Sequence, residues 1–229
     1  MPQVLVRPLP APSLANRLRG LAKRATGEVV HWAREAAVES AAIGPKSRRG
    51  RRFGRFGDRS VICFPANTIF NEQFIHIGTG TMFGPYVTLS AGMVPGQACI
   101  SDPVVSIGDR CLIGKGSGIV GHFEIVIGND VWTGHHVYIT DQNHDYHDVT
   151  TPISRQSMPE RSVTIGDGSW LGHGAVVLPG SRIGKHVVVG ANSVVSGELP
   201  DYCVAVGSPA RVIKQWTAER GWFRVEPGA

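Results

Sequence analysis

The chain has 229 residues, a net charge of +5 and 42% hydrophobic residues, enough for one domain with a sizeable core. No apolar run is long enough to cross a bilayer. The four cysteines, Cys63, Cys99, Cys111 and Cys203, lack CxxC or zinc-finger spacing and read as reduced structural thiols.

Met1 to Pro12 is Pro-rich, lacks the apolar core of a signal peptide and is expected to be disordered, which points to a cytoplasmic protein. Residues 14–42 predict one or two amphipathic helices. Leu14, Leu18, Leu21 and Ala22, then Val29, Val30, Ala33 and Ala37, recur at helical spacing, with Gly27 as the break between them. Gly44-Pro45 ends the segment. Lys46, Arg48, Arg49, Arg51, Arg52 and Arg55 then crowd together. Such a run suits an acidic substrate, a coenzyme phosphate or an anionic membrane surface. The preferred reading is plainer: a solvated loop leading into the next element, with at most a weak surface role. The only aromatics beside it are Phe53 and Phe56, so nucleic-acid binding is not supported. Residues 1–52 therefore read as an N-terminal extension.

From residue 53 to 207 the chain carries a six-residue beat, clearest from Ile165 to Val194. Each hexad opens on an aliphatic residue: Ile165, Leu171, Val177, Ile183, Val189. Most continue with Gly, and the fifth position is small or β-branched: Ser169, Ala175, Ser181, Val187, Ser193. Side chains alternate along a strand, so positions one and five share the inner side. Gly at position two is expected to serve a corner with unusual dihedral angles. A fixed short period marks a solenoid, and hexapeptides mark a parallel β-helix with three hexads per coil and coils about 4.8 Å apart. The register recurs at Ile77-Gly78, Phe83-Gly84 and Leu89, at Ile107-Gly108, Ile113-Gly114 and Ile119, and at Ile127-Gly128, Thr133-Gly134 and Ile139. Residues 53–76 read as a degenerate first coil.

The beat slips at His122–Glu124 and breaks at about 91–105 and 141–162. Loops on a rigid scaffold are where function usually sits. The second break begins Asp141-Gln142-Asn143-His144-Asp145-Tyr146-His147-Asp148. Histidine takes a proton near neutral pH, so this loop is the candidate for acid–base chemistry. Past Gly207-Ser208-Pro209, residues 210–221 are expected to form a closing helix with Val212, Ile213 and Trp216 on its inner face.

Three features carry a family resemblance: the hexads, the His-bearing loop before Pro152-Ile153, and the ending Val206-Gly207-Ser208-Pro209-Ala210-Arg211-Val212-Ile213-Lys214. Over residues 53–214 the chain resembles the left-handed β-helix hexapeptide acyltransferases, in the branch of maltose and galactoside O-acetyltransferases. The resemblance implies an all-β solenoid of left-handed coils, a homotrimer with sites between subunits, an acyl-CoA donor and a sugar or glycan hydroxyl acceptor. Acetyl is the default acyl group, and succinyl or longer chains stay open. It implies direct attack on the thioester, assisted by a histidine base, with no metal and no resident cofactor. Carried over residue by residue, it implies His144 as the base and His147 as the second candidate, with Asp141 or Asp145 fixing the imidazole. It implies CoA contacts at His173, Ala191, Ser196, Gly197 and Arg211, where the guanidinium suits a phosphate. The family usually has a small polar residue where His173 stands. Trp132 and Trp170 end their hexads and should point outwards, towards a pantetheine groove or a subunit contact, or simply onto the surface. On the acceptor side the family's Asn and Asp are missing near Gly84–Tyr86 and Ser90–Ala91. Asn71 and Tyr86 are candidates instead, with Asn67 and the 91–105 loop, so maltose and β-galactosides are not the expected acceptors.

Three other readings stay open. N-acyl transfer to an amino sugar or antibiotic-like acceptor would look the same in composition. A non-catalytic trimeric scaffold would need the base to be lost, yet His144 and Arg211 are present. A γ-class carbonic anhydrase shares the solenoid and needs three zinc histidines. His122 and His173 lack a partner at that family's spacing, and His135 and His136 are adjacent, so on a strand they would face opposite sides.

Overall fold

The computed structural model describes residues 13–225. The disorder expected for 1–12 and the last residues of the tail lie outside that range. The chain divides into two compact units after Ser40. In the first, α1 (Leu14–Ser40) is a single helix of 27 residues, not two, and runs straight through Gly27. One glycine among good helix formers costs only about 1 kcal/mol and need not break the element. Leu14, Leu18, Leu21, Val29 and Trp32 lie on one stripe of this helix and are exposed.

The second unit is a parallel β-helix with three flat faces. Its first face stacks Arg55–Phe56, Ile75–Ile77, Val105–Ile107, Ile125–Ile127, Val163–Ile165, Arg182–Ile183 and Glu198–Leu199. Its second stacks Val61–Ile62, Met82–Phe83, Leu112–Ile113, Trp132–Thr133, Trp170–Leu171, Val188–Val189 and Cys203–Val206. Its third stacks Ile69–Phe70, Thr88–Ala91, Gly118–Gly121, Tyr138–Thr140, Val176–Val177 and Val194–Val195. The strands Arg55–Phe56, Val61–Ile62 and Ile69–Phe70 form the first coil, the second beginning at Ile75, and Ile43 pairs with Ile62 and joins the core.

The first residue of each hexad builds the interior. On the first face Phe56, Ile77, Ile107, Ile127, Ile165, Ile183 and Leu199 sit in direct register, coil upon coil. On the third face Ile69, Leu89, Ile119, Ile139, Val177 and Val195 do the same. All of these except Phe56 are buried, each contributing about 1.5–3 kcal/mol of transfer free energy before ordering costs. The fifth position is more than small. Ser169 Oγ donates to the Gly184 carbonyl and accepts the Val187 N–H, and Ser193 Oγ accepts the Gly207 N–H. These hydroxyls tie each coil to the next inside the prism, and Cys111 fills such a slot with its thiol pushed up by burial.

The glycines at position two serve a different purpose from the expected one. None has positive φ. They are needed because the next coil's backbone lies against them: a Cβ on Gly172 would stand 2.5 Å from the Ala191 nitrogen, and one on Gly134 2.6 Å from that of His173. The left-handed residue is instead position four, held by Gly168, Gly174, Gly180, His186 and Asn192.

The expected closing helix is absent. Arg211–Thr217 and Gly221–Arg224 form an antiparallel hairpin that pairs back onto Cys203–Val206. Val212, Ile213, Trp216 and Thr217 favour strand, and the last coil offers an open edge to complete. A register shift between Val204 and Ala205 lets the spacing of Val212, Ile213 and Trp216 imitate a helical period.

The irregular segments are not scattered. The loops 91–105 and 141–162 and the slip at 122–124 all leave the corner between the third and first faces. Asn71, at the same corner of the first coil, fastens the earliest loop. Its amide donates to the Ala91 and Val94 carbonyls and its Oδ1 accepts the Gly96 N–H. The basic run is partly spoken for as well. Arg49 and Arg52 pair at 3.2 and 3.3 Å with Glu72, whose side chain is 2% exposed. Part of that run is thus structural, compensating one buried carboxylate.

Candidate active site

The 141–162 loop folds on itself as it leaves the solenoid. Asn143 N–H donates to the Pro159 carbonyl, Asp145 N–H to Ser157, and Gln156 clamps the Asp148 and Thr151 carbonyls. Its neck is closed where Arg161 N–H donates to the Asp141 carbonyl at 2.7 Å. Above the neck lies a cavity of about 250 Å³, lined by His144, Asp145, Tyr146, His147, Arg161 and Ser196 among others.

Four residues proposed from sequence therefore meet in one place: both histidine candidates, Asp145, and Ser196 from two coils further along. His144 is exposed, and its imidazole makes no hydrogen bond among the described residues. His147 stacks on Tyr146 at 4.8 Å and its Nδ1 meets Asp145 Oδ1 at 2.5 Å. The His147 bond, reinforced by the backbone N–H groups of His147 and Tyr146, holds the Asp145 carboxyl at about 2. Asp148 is likewise held at about 2 by the Thr150 and Thr151 hydroxyls. Asp145 thus orients an imidazole, and the one it holds is that of His147.

Asp141 does not orient a histidine. It is fully buried, and its carboxylate accepts the backbone N–H groups of His122, Phe123 and Glu124 at 2.7–3.1 Å. Its negative charge gathers the slipped turn one coil below, a nest of amides around an anion. The His122 imidazole, 7% exposed, lies 3.6 Å from Glu160 beside that turn. Asn71 also leaves the acceptor list, because it is buried and its amide is consumed by the 91–105 loop. Tyr86 is half exposed, with the Lys115 ammonium 5.4 Å from its ring, at the corner between the second and third faces.

His173 and Ala191 stand at that second-to-third corner too, both exposed. Arg211 opens the terminal hairpin opposite Val206, at the same end of the second face. Arg211 is exposed, and its guanidinium donates a hydrogen bond to the Ala210 carbonyl. The coenzyme candidates thus flank the third face, with Ser196 and Gly197 on one edge, His173, Ala191 and Arg211 on the other, and the rungs Val176 and Val194 between. His135, His136 and His173 cluster with ring centres 5.7–6.5 Å apart. The adjacent pair sits at a corner, where His136 has φ 58°, and not on a strand as assumed above. Among the described residues no group of three or more His, Cys, Asp or Glu is placed to hold a metal ion. Trp132 and Trp170 point outward on consecutive coils of the second face, 56% and 50% exposed.

Arg161 was missed in the sequence. It is an isolated cation where the loop rejoins the coil, and only the fold brings it beside His144.

Residues 162–197 match the family model for the bacterial transferase hexapeptide (six repeats), and residues 104–140 match that for the hexapeptide repeat of succinyl-transferase. WbbJ of Escherichia coli, named as a putative lipopolysaccharide biosynthesis O-acetyl transferase, is 37% identical over 69% of this chain and 80% of its own. A galactoside O-acetyltransferase of Lactococcus lactis is 36% identical over 46% of this chain and 60% of its own. A probable acetyltransferase of Mycobacterium tuberculosis is 39% identical over 47% of this chain, which spans only 36% of that relative. Among solved structures, the Bacillus cereus N-acyltransferase AntD in complex with dTDP and 3-hydroxybutyryl-CoA superposes with a TM-score of 0.62 at 21% identity, covering 75% of this chain and 87% of that one. A maltose O-acetyltransferase from Clostridium difficile superposes with a TM-score of 0.50 at 25% identity, over 72% and 71%. With its stacked hexads and a relative matched over four-fifths of its length, the chain belongs to the left-handed β-helix hexapeptide-repeat acyltransferases, in the branch of the galactoside and maltose O-acetyltransferases.

Proposed function

We propose that the protein transfers an acyl group from acyl-CoA to a hydroxyl of a sugar or glycan, with His144 as general base. One observation carries the reading: His144 shares its cavity with Ser196, one end of the coenzyme candidates that flank the third face. A CoA thioester laid across Val176 and Val194 would reach His173, Ala191 and Arg211 at one edge and present its carbonyl to the loop at the other. The acceptor oxygen attacks the thioester carbon while the imidazole takes its proton. The tetrahedral intermediate then collapses, the carbon–sulfur bond breaks, and the proton passes to the departing thiolate. Backbone N–H groups at the corner, or Arg161, stabilise the oxyanion. The relatives named as O-acetyltransferases support a hydroxyl acceptor.

His144 is preferred over His147 because its ring is unspent. His147 is tied to Asp145 and stacked on Tyr146, and so serves to shape the loop. Since His144 stands exposed, the reading includes a homotrimer in which a neighbouring subunit walls the cavity. His144→Ala should cut kcat/KM by about 10²–10⁴, the usual worth of a general base, and His147→Ala by far less. Release of CoA thiol with a panel of glycan and amine acceptors reads this out. Equal activity of His144→Ala and wild type would remove the base. Turnover confined to amines would replace O-transfer by N-transfer.

A further inference from the structure

The corner between the first and second faces, away from the proposed transfer site, carries an aromatic cup. His186 and Tyr202 occupy that corner on the last two coils. Their rings are 6.0 Å apart and tilted by 41°. Trp216, on the terminal hairpin, stands 5.6 Å from Tyr202 at 57°, and its backbone N–H donates to the Tyr202 carbonyl. Trp222 lies directly opposite Trp216 across the hairpin. The four rings line a cavity of about 210 Å³.

Two features set this cup apart from ordinary end-capping. First, its rings bury little of one another: Tyr202, Trp216 and Trp222 keep 39–48% of their surface exposed, while the interior beneath is already closed by Cys203 and Ala205. Second, Tyr202 and His186 hold the left-handed position of this corner, with φ of 55° and 54°, which Arg59, Gly80, Arg110, Asp130 and Gly168 hold on the earlier coils. Only the last two coils place rings there, side by side.

The lining restricts the occupant. Among the described residues no Lys, Arg, Asp or Glu lines the cup, so its lining does not suit a phosphate or a carboxylate. Nor does it lie on the proposed coenzyme path, because Trp216 sits five residues along the hairpin strand from Arg211, about 16 Å at strand rise. Tyr202 is tilted against both His186 and Trp216, so neither pair offers a parallel slot for a flat base. The volume is below the roughly 300–1,000 Å³ of pockets that enclose drug-sized ligands, leaving room for about one ring. Tilted aromatic faces with polar edges, the Tyr202 hydroxyl, the indole N–H groups and the His186 nitrogens, suit a puckered ring with C–H faces and a hydroxyl rim.

We infer that this cup holds one pyranose ring of an extended glycan, as a binding subsite separate from the transfer site. The inference rests on the glycan reading of the acceptor, but its test does not involve acyl transfer. The full chain, without acyl donor, would be titrated with methyl pyranosides of glucose, galactose, mannose, rhamnose and N-acetylglucosamine and with their oligosaccharides, following the indole N–H signals. The Trp216 and Trp222 signals should shift saturably while those of Trp132 and Trp170 stay put. Trp222→Ala should weaken binding about tenfold. Tyr202→Gly, which suits the backbone, should do the same with the fold intact, and covers the case in which the first variant does not fold. Silence of both signals towards every saccharide at tens of millimolar would overturn the inference. So would saturation by thymidine monophosphate or tetramethylammonium in place of the sugars. Sugar binding here with no acyl transfer to any hydroxyl would leave the cup standing and remove the proposed function instead.

Discussion

Two aspartates in the same loop serve opposite ends. Asp141 holds the loop's root by drawing three backbone amides onto one buried carboxylate. An amide in its place would point an N–H₂ group at those donors. Asp141→Asn should therefore cost about 3 kcal/mol, from lost charge-assisted bonds and stranded N–H groups, measurable by urea unfolding. Asp145 and Asp148 act in the body of the loop, the first half-buried and the second exposed, and both are held at about 2. Their folded values lie below the ordinary carboxylate value of 3.8, so their contribution favours the ordered loop. It is complete above that ordinary value and fades as pH falls through about 2. Carboxyl titration by NMR should place both midpoints near 2. A midpoint near 4 for either group would mean that its bonds do not persist in solution.

At the scale of the element, the hexad is a unit of backbone proximity. Its second residue must be bare because the next coil passes against it, and its fourth must tolerate the left-handed region. Gly172→Ala should cost about 1–3 kcal/mol by overpacking against Ala191, whereas Gly168→Asn should be nearly neutral, since Asn192 already holds that conformation. Comparison of the two melting temperatures checks this, and equal losses would refute the assignment. The interior was legible in the sequence because Ile, Leu and Val recur at a period that only one architecture uses. The hairpin was not, because Val212, Ile213 and Trp216 satisfy a helical period and a bulged strand alike, and the open edge that decides between them exists only after folding. Asp141 was misread for a similar reason. Beside His144 a carboxylate looks like an orienter, while its actual partners lie 17–19 residues back, one coil below. His144, His147 and Asp145 could be named as candidates in advance because a break in a strict beat is conspicuous, and Ser196 because the family resemblance carried it over. Arg161 sits in no pattern.

For the whole molecule, the second face is where the proposed assembly would be made. Met82, Leu112, Trp132, Trp170 and Val188 form one continuous outward ladder on consecutive coils, and Met82, Trp132 and Trp170 are exposed. A run of large apolar side chains on a flat sheet calls for a partner. If the protein is the proposed trimer, Trp132→Lys should shift it towards monomer in light scattering and lower activity in parallel. A monomeric wild type would refute both the assembly and the completion of the His144 cavity by a neighbour.

The coil-on-coil register has one more consequence. Each strand of the solenoid hydrogen-bonds only to the strand before it and the strand after it in the stack, so each coil depends chiefly on the coils next to it. Stability is then a sum over adjoining layers, as in a chain of coupled switches, and not the property of a single nucleus. Disorder would enter at the terminal layers and travel inward. The layers that carry the His144 loop, with neighbours above and below, would be among the last to open.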